Sequence, residues 1–161
     1  MMIDLVNGGL ALDRNSLIIR KGLTKNEFEK SSLIDEVLNH QSYGFTSYYI
    51  RPQLIGNTFF VIVLYFNPQD ILDFANLSLT DSERVPSWDD WSESRAKEKK
   101  EKHDEWLLRN IGKPPYKFPW GEISSNYDKN EKISYYGGKS QAVEKRTQVK
   151  ARVKAHGIKG L

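Results

Sequence analysis

Apolar and polar residues alternate over several short segments of this chain, which is typical of strands that bury one face. The first two such segments, at 3–5 and 10–12, lie on either side of Asn7-Gly8. Asn-Gly accepts the positive φ angles of a type I′ turn, so the pattern predicts a β-hairpin there. A polar turn at 13–16 and the segment "LIIR" at 17–20 predict a third strand.

A helix with clear start signals follows the third strand. Thr24 is an N-cap residue, and Glu27 stands three positions later, as a capping box requires. Leu23 and Phe28 are spaced to form a hydrophobic staple across this cap. The sequence therefore predicts a short capped helix, and it leaves the end of that helix open between residues 30 and 39 because a serine pair weakens the pattern there.

Two segments rich in aromatic and β-branched residues come next. They are "TSYYIRPQL" at 46–54 and "NTFFVIVLYF" at 57–66, and they flank Ile55-Gly56, which predicts a second hairpin. Pro52 cannot donate to a strand ladder, so that part of the first segment is expected at a sheet edge or a bulge. The second segment is predicted to be the central strand, buried on both faces, and the alternation at 71–79 predicts another strand.

The stretch from 87 to 112 predicts one long helix. Ser87 can cap it, and Asp90 stands at the capping-box distance. Gly112 followed by Pro114-Pro115 is a stop signal. We expect a helix of about six turns within this stretch.

The charges of this helix are concentrated in its middle, and its apolar residues lie at its ends. An acid precedes a base by four residues three times, at Glu93–Lys97, Glu98–Lys102 and Glu105–Arg109. Such pairs stabilise a helix by roughly 0.2–0.5 kcal/mol each. We expect a helix that is solvated through its middle. Its expected anchors are Trp88, Trp91, Trp106, Leu107 and Ile111.

The last segments predict a closing strand pair and a basic tail. Residues 116–128 and 132–136 are the expected strands, and Gly137-Gly138 marks the end of the body. Residues 139–161 contain seven Lys or Arg and one Glu, a net charge of +6, whereas the whole chain has a net charge of +3. Small apolar and basic residues alternate over 147–156, which fits a strand with one basic face, an extended arm or a disordered end. This tail is expected to be separable from the fold.

Composition narrows the class of protein. The chain has 161 residues, enough for one domain, and it contains no cysteine, which excludes disulfides and thiol nucleophiles. Its longest apolar run has eight residues, and its N-terminus lacks the pattern of a signal peptide, so we expect a cytoplasmic protein with no membrane contact. The expected fold is one α+β domain at 1–138, with an antiparallel sheet of about six to seven strands, one short capped helix and one long charged helix.

Candidate chemistry is sparse. The chain has no phosphate loop, no Gly-rich dinucleotide motif and no serine in a GxSxG context. His103 is followed by Asp104, a dipeptide that also occurs in metal phosphohydrolases, but a surface or packing role on the helix is the favoured interpretation. We therefore expect no enzymatic activity, no catalytic residue, no metal and no cofactor. The enzyme alternative is a metal-dependent hydrolase that uses Asp89, Asp90, His103 and Asp104.

Five segments carry a likeness to a known class of protein. They are "NGGLALD", "KGLTKNEFEKSSL", "VLYFNPQDI", "SWDDWSE" and "KHDEWLLRNIGKPPYKFPWGEISSNYD". Together, over residues 1 to about 128, the chain resembles small bacterial immunity proteins of polymorphic, contact-dependent toxin systems. The resemblance implies a cytoplasmic, non-enzymatic inhibitor that binds a toxin domain, and it assigns no site residue. From residue 129 the chain departs from such proteins because the expected final apolar strand is missing.

Protein binding is therefore the leading function, most concretely the neutralisation of a bacterial toxin. The partner-binding surface is expected on the long helix and at its start, because tryptophan is enriched at interfaces and the charged stretch is exposed. Its candidate residues are Asp89, Asp90, Glu98, Glu101, Lys102 and Glu105. The alternative is a nucleic-acid-associated protein that contacts phosphates through the tail. The candidate residues of this alternative are Lys145, Arg146, Lys150, Arg152 and Lys154.

Overall fold

A computed structural model describes residues 3–86, 92–127 and 147–153. These residues form two short helical segments, one long helix and nine strands. The strands are β1 (Leu10–Leu12), β2 (Asn15–Ile19), β3 (Val37–Tyr43), β4 (Phe45–Ile55), β5 (Thr58–Phe66), β6 (Leu72–Thr80), β7 (Tyr116–Phe118), β8 (Gly121–Tyr127) and β9 (Thr147–Val153). The helices are α1 (Lys25–Glu29), a 3₁₀ helix (Ser32–Glu36) and α2 (Glu93–Asn110).

The strands are divided between two sheets. Strands β1 and β2 form a separate two-stranded ribbon, and the other seven follow the order β3-β4-β5-β6-β9-β8-β7. Every strand pair within the described residues is antiparallel. The α+β class and the antiparallel pairing are thus confirmed. The larger sheet consists of a block of four strands, β3 to β6, and the pair β7–β8, which are joined through β9.

The beginning of the chain differs from the predicted hairpin. Ile3 meets Leu10 in an isolated bridge, and the residues between them form a loop. Asp4 organises this loop, because its side chain accepts the N–H groups of Val6 and Asn7 at 2.9 and 3.1 Å. The chain reverses at a turn over 5–7, but the type I′ geometry is wrong, because Gly8 has a positive φ and Asn7 does not. Strand β1 pairs along its length with β2, so the predicted third strand is confirmed.

The capping box of the first helix is confirmed. The Thr24 side chain accepts the Glu27 N–H at 3.1 Å, and the Glu27 carboxylate accepts the Thr24 N–H at 3.1 Å. Leu23 and Phe28, the predicted staple, are both buried. Helix α1 ends at its C-cap residue Lys30, the earlier of the two predicted ends, and the 3₁₀ helix follows it.

The hairpin of β4 and β5 is confirmed, and hydrogen bonds to a residue outside the hairpin stabilise its turn. Its turn contains Gly56 and Asn57, both with positive φ. The Asp13 carboxylate accepts the N–H groups of these two residues at 2.8 Å each. Pro52 lies in the register shift between Ile50 and Gln53, so the predicted bulge is present. Strand β5 lies between β4 and β6, and β6 itself matches its prediction.

Helix α2 begins later than predicted. Its N-cap is Ser92, whose side chain accepts the Arg95 N–H at 3.2 Å. The predicted cap Ser87, together with Trp88 and Trp91, lies outside the described residues. The helix has 18 residues, or about five turns. The predicted stop is confirmed, since Gly112 has a φ of 113°.

Two of the three predicted ion pairs along α2 are present. The Glu93–Lys97 and Glu98–Lys102 pairs have N–O distances of 3.6 and 3.4 Å. The third predicted pair, between Glu105 and Arg109, is absent, because Glu105 has no ion-pair partner within 4.0 Å among the described residues. A pair that was not predicted joins Lys100 to Asp104 at 2.5 Å.

The closing strands pair differently from the prediction. Strand β7 pairs with β8 around Pro119-Trp120, and β8 then pairs with β9 along its whole length. The predicted strand at 132–136 lies outside the described residues. Strand β9 belongs to the segment 139–161, which was expected to be a separable tail. It lies between β6 and β8 and pairs with both, so this part of the segment is an interior strand of the sheet.

The loop near the N-terminus packs against the β7–β8 turn through Trp120. The indole N–H of Trp120 donates to the Leu5 carbonyl at 3.0 Å, and the ring is 5% exposed. Gly8, which has a φ of +75°, lies directly against this ring, and a Cβ atom there would be 2.6 Å from Trp120 Cε3. The contact joins residues that are more than a hundred positions apart in the chain.

Removal of β9 should destabilise the whole domain. A chain that ends at Gly138 lacks the strand that joins β6 to β8, whereas a chain that ends at Val153 retains it. We expect cooperative thermal melting, followed by circular dichroism, to be lost in the first variant and kept in the second. Equal melting temperatures for the two variants would show that the pairing of β9 contributes nothing to stability.

Replacement of Gly8 by alanine should test the Trp120 contact. Gly44 is the matched control, because it has a similar φ of +77° but a Cβ atom at this position would have no neighbour within 4 Å. Gly44→Ala should cost roughly 1–2 kcal/mol, the cost of a left-handed backbone for an L-residue. Gly8→Ala should cost about 1–3 kcal/mol more because of overpacking against the ring. Urea unfolding measures both, and equal losses would contradict a rigid contact.

Candidate functional site

The rotation of α2 on the sheet is fixed by one buried stripe. Trp106 packs edge-on against Phe60 of β5, with ring centroids 5.0 Å apart. His103 lies against the same ring, with centroids 6.4 Å apart. The predicted orientation of Trp106 toward the sheet is therefore confirmed. The buried residues of the helix are Ala96, His103, Trp106 and Leu107.

The opposite side of α2 carries four of the predicted partner-binding residues. They are Glu98, Glu101, Lys102 and Glu105, and all four are exposed. Their spacing of i, i+3, i+4 and i+7 places them on one stripe of the helix. We call these four residues the charged ridge. Asp89 and Asp90, the other two predicted residues, lie outside the described part of the chain.

The charged ridge is acidic overall and contributes little to the fold. Three glutamates and one lysine give it a net charge of −2. Lys102 pairs with Glu98 at 3.4 Å, and the two side chains are 47% and 63% exposed. Exposed pairs of this kind contribute at most about 1 kcal/mol. Glu101 and Glu105 have no ion pair within 4.0 Å among the described residues, so their carboxylates remain available for a partner.

An apolar groove adjoins one flank of the charged ridge. Leu108, three residues after Glu105, is 52% exposed and lines this groove next to the charged ridge. The groove has a volume of about 540 Å³ and separates α2 from the β7–β8 hairpin. We call it the Leu108 groove. Its lining includes Lys100, Asp104, Leu108, Pro115, Tyr116 and Ile123.

A second groove follows the other flank of α2 and is mainly basic. It has a volume of about 460 Å³ and lies between α2 and the residues that follow β6. Its charged lining consists of Arg84, Arg95, Lys99 and Lys102 with Asp81 and Glu98. The charged ridge therefore separates an apolar groove from a basic one, and the helix forms the wall that both share.

His103 has a structural role in the core. It is fully buried, and its Nε2 accepts the Leu79 N–H at 2.9 Å. Leu79 lies two residues beyond Leu77, the last residue of β6 that pairs with β9, so the imidazole takes the place of a strand partner. Burial, and to a smaller extent the charge of nearby Lys99, lower the pKa of His103 to about 3. The ring is neutral and carries its proton on Nδ1, because Nε2 is the acceptor.

The side chain of Asp104 lies in a more exposed environment than that of its neighbour His103. Its side chain is 49% exposed and pairs with Lys100 at 2.5 Å. Partial burial raises the pKa of Asp104, but the hydrogen bond from Lys100 and the charge of Lys100 outweigh this, so the pKa lies below its usual value. Across the Leu108 groove, burial and the Asp104 carboxylate raise the pKa of Tyr116.

Of the four residues of the hydrolase alternative, Asp89 and Asp90 lie outside the described residues, and the other two lie in different environments. His103 is committed to Leu79 and buried, while Asp104 faces the groove and Lys100. Within residues 3–86, 92–127 and 147–153, no group of three or more His, Cys, Asp or Glu side chains could hold a metal ion. His103 and Asp104 are thus a packing residue and a surface residue, in agreement with the favoured interpretation.

The register of β9 places two of the predicted nucleic-acid residues in the sheet. Lys150 pairs with Asn76, and Arg152 pairs with Phe74. Asn76 and Phe74 are two residues apart in β6, so the register sets the two basic positions opposite alternate residues of that strand. Phe74 stacks on Tyr65, with ring centroids 4.3 Å apart. The other three residues of this set, Lys145, Arg146 and Lys154, lie outside the described residues.

Sequence reasoning found the charged ridge but missed both grooves. The ridge follows from four-residue spacing, whereas the Leu108 groove needs the β7–β8 hairpin beside α2.

Comparisons with protein-family models, curated proteins and solved structures gave no match. Among the helices of the described residues, none is long and apolar enough to cross a membrane.

The buried imidazole should make stability depend on pH. In the unfolded chain a histidine has a pKa near 6.5, whereas in the fold the pKa of His103 is about 3. The unfolded state therefore binds more protons between these values, and the free energy of unfolding should fall by up to about 1.4 kcal/mol per pH unit as pH drops from 6.5 toward 3.

His103→Gln isolates this effect, since a glutamine oxygen can still accept the Leu79 N–H. Urea unfolding of wild type and variant at several pH values from 7.5 down to 4.5 gives the two profiles, and all other titrating groups cancel between them. The wild type should lose more stability than the variant over this range. Parallel profiles would show that His103 titrates normally.

Proposed function

We propose that this chain is a protein-binding inhibitor, an immunity protein that neutralises a cognate bacterial toxin domain. The observation that carries the proposal is the charged ridge beside the Leu108 groove. Four exposed, charged side chains continue into an exposed leucine and an apolar groove on the same helix. Protein interfaces combine an apolar centre with a polar rim in this way. The resemblance of the first 128 residues to immunity proteins supports the same function.

Rigidity of the surface also supports the proposal. Trp106 and Leu107 are 4% and 0% exposed, so the helix that carries the charged ridge is anchored to the sheet. A surface that is already ordered loses little conformational entropy on binding. The acidic ridge would further attract a basic partner surface and increase the rate of association.

Charge reversal on the charged ridge should weaken toxin binding without loss of stability. Glu101→Lys is the test variant, because Glu101 is exposed and has no ion pair within 4.0 Å among the described residues. Asp35→Lys in the 3₁₀ helix is the control, since it changes the net charge equally at another exposed position. The probe is the toxin domain encoded beside the gene for this chain, and calorimetry measures its Kd.

We expect Glu101→Lys to raise the Kd about tenfold, or about 1.4 kcal/mol, and Asp35→Lys to leave it unchanged. Unfolding in urea should be the same for both variants within about 0.5 kcal/mol, as for other surface changes. Equal Kd values for wild type and Glu101→Lys would move the binding surface away from the charged ridge. Failure of the toxin domain to bind wild type would remove the proposed function itself.

A second candidate function is the binding of single-stranded nucleic acid. Its specific support is the backbone register, which pairs Arg152 with Phe74, a residue whose ring stacks on Tyr65, and Lys150 with Asn76. Basic residues beside aromatic rings form the usual surface for single strands.

Fluorescence anisotropy with a labelled single-stranded RNA tests this candidate. Binding should fall steeply with added salt, and the double variant Lys150→Glu/Arg152→Glu should abolish it. Lys113→Glu/Lys117→Glu is a control of the same charge outside β9. Equal RNA affinity for both double variants would exclude β9 as the contact, and no binding by wild type at low salt would exclude the function.

A further inference from the structure

The loop near the N-terminus contains a dipeptide with intrinsic chemical reactivity. Asn7 is the one asparagine of the chain that is followed by glycine. An asparagine can deamidate without an enzyme when the backbone nitrogen of the next residue attacks its side-chain carbon Cγ. Glycine favours this attack because it has no side chain to hinder its own nitrogen. The Asn7 side chain is exposed, so water can reach it.

The reaction balances with water as its only co-reactant. The Gly8 nitrogen loses its proton and forms a bond to Asn7 Cγ, while the bond between Cγ and Nδ2 breaks and ammonia leaves. The product is a cyclic succinimide. Water then opens this ring at either of its carbonyls, which yields aspartate or isoaspartate at position 7. In both products this position gains a negative charge.

Hydrogen bonds to Asp4 hold both reacting groups in the folded loop. The Asn7 side-chain amide donates to the Asp4 carboxylate at 3.0 Å, and the Gly8 N–H donates to the Asp4 carbonyl at 2.7 Å. The Gly8 nitrogen must lose this hydrogen bond before it attacks, because the proton it gives up is the one shared with the carbonyl. Gly8 is also buried and lies against Trp120, which keeps solvent bases away from it.

The charge of Asp4 opposes the reaction as well. Hydrogen bonds from the backbone and side chain of Asn7 and from the backbone of Val6 hold the pKa of Asp4 below its usual value. The carboxylate is therefore ionised at neutral pH. Attack on Cγ puts negative charge on the Asn7 side-chain oxygen beside this carboxylate, and like charges repel most strongly at short distance.

We propose that Asn7 is a site of spontaneous deamidation and that Asp4 restrains the reaction in the folded protein. The products also remove the contact that restrains them. An aspartate at position 7 replaces a donor to the Asp4 carboxylate by a second negative charge, and an isoaspartate lengthens the main chain before Gly8. Either product disturbs the placement of Gly8 against Trp120 and loosens the loop from the β7–β8 turn. The inference does not depend on the proposed function.

Peptide mapping by mass spectrometry, after incubation at mildly alkaline pH, measures the rate of conversion at position 7. Asp4→Ala should speed this conversion about tenfold, which corresponds to about 1.4 kcal/mol of lost hydrogen bonding. Asp13→Ala is the matched control, because the Asp13 carboxylate also accepts two N–H groups of a turn, but of the turn at 56–57. It should convert Asn7 at the wild-type rate, and circular dichroism checks that both variants fold.

Two further arms separate restraint by Asp4 from general loss of structure. Asp4→Asn keeps an oxygen that can accept the backbone N–H groups but removes the charge, so its rate should lie between those of wild type and Asp4→Ala. Wild type in guanidinium chloride gives the unrestrained rate, which should exceed that of the folded protein. Equal rates for folded wild type and both Asp4 variants would overturn the proposal. So would an equal acceleration in Asp13→Ala, or a denatured chain that reacts no faster than the folded one.

Discussion

The packing of α2 on Phe60 is the interaction on which the rest of this surface depends. Most positions of the helix are charged, and only a few side chains can be buried. Trp106 and Leu107 are large enough to fix the rotation of the helix, because burial of a Trp or Leu side chain is worth a few kcal/mol. Once they face the sheet, the i, i+3, i+4, i+7 spacing leaves the charged ridge on the opposite side. The position of the ridge is thus a consequence of the core.

The same packing leaves polar groups without partners, and their cost must be met elsewhere in the core. His103 Nδ1 and Trp106 Nε1 are buried and form no hydrogen bond within the described residues. Unpaired buried groups of this kind cost about 1–3 kcal/mol each. In return, His103 satisfies the N–H of Leu79, which lies two residues beyond Leu77, the last residue of β6 that pairs with β9. The neutral imidazole is therefore a substitute for a strand partner, and its low pKa is the consequence of that position.

The sequence correctly predicts those structural features that depend only on residues close together in the chain. The capping box of Thr24 and Glu27, the bulge at Pro52 and the stop at Gly112 all rest on neighbours within a few residues, and each was predicted correctly. The predicted cap of α2, Ser87, lies outside the described residues, and the cap of the described helix is Ser92, another serine that the sequence offers at this end.

Elements that depend on distant partners could not be found in this way. Strand β3 is polar at its centre, "NHQS", and has no strand signal of its own; it forms because β4 offers a paired edge. Strand β9 was recognised only as an alternating segment, since its place between β6 and β8 depends on pairs of residues that are at least twenty positions apart in the sequence. For the site, spacing alone identified the charged ridge, whereas the Leu108 groove depends on the β7–β8 hairpin that lies against α2.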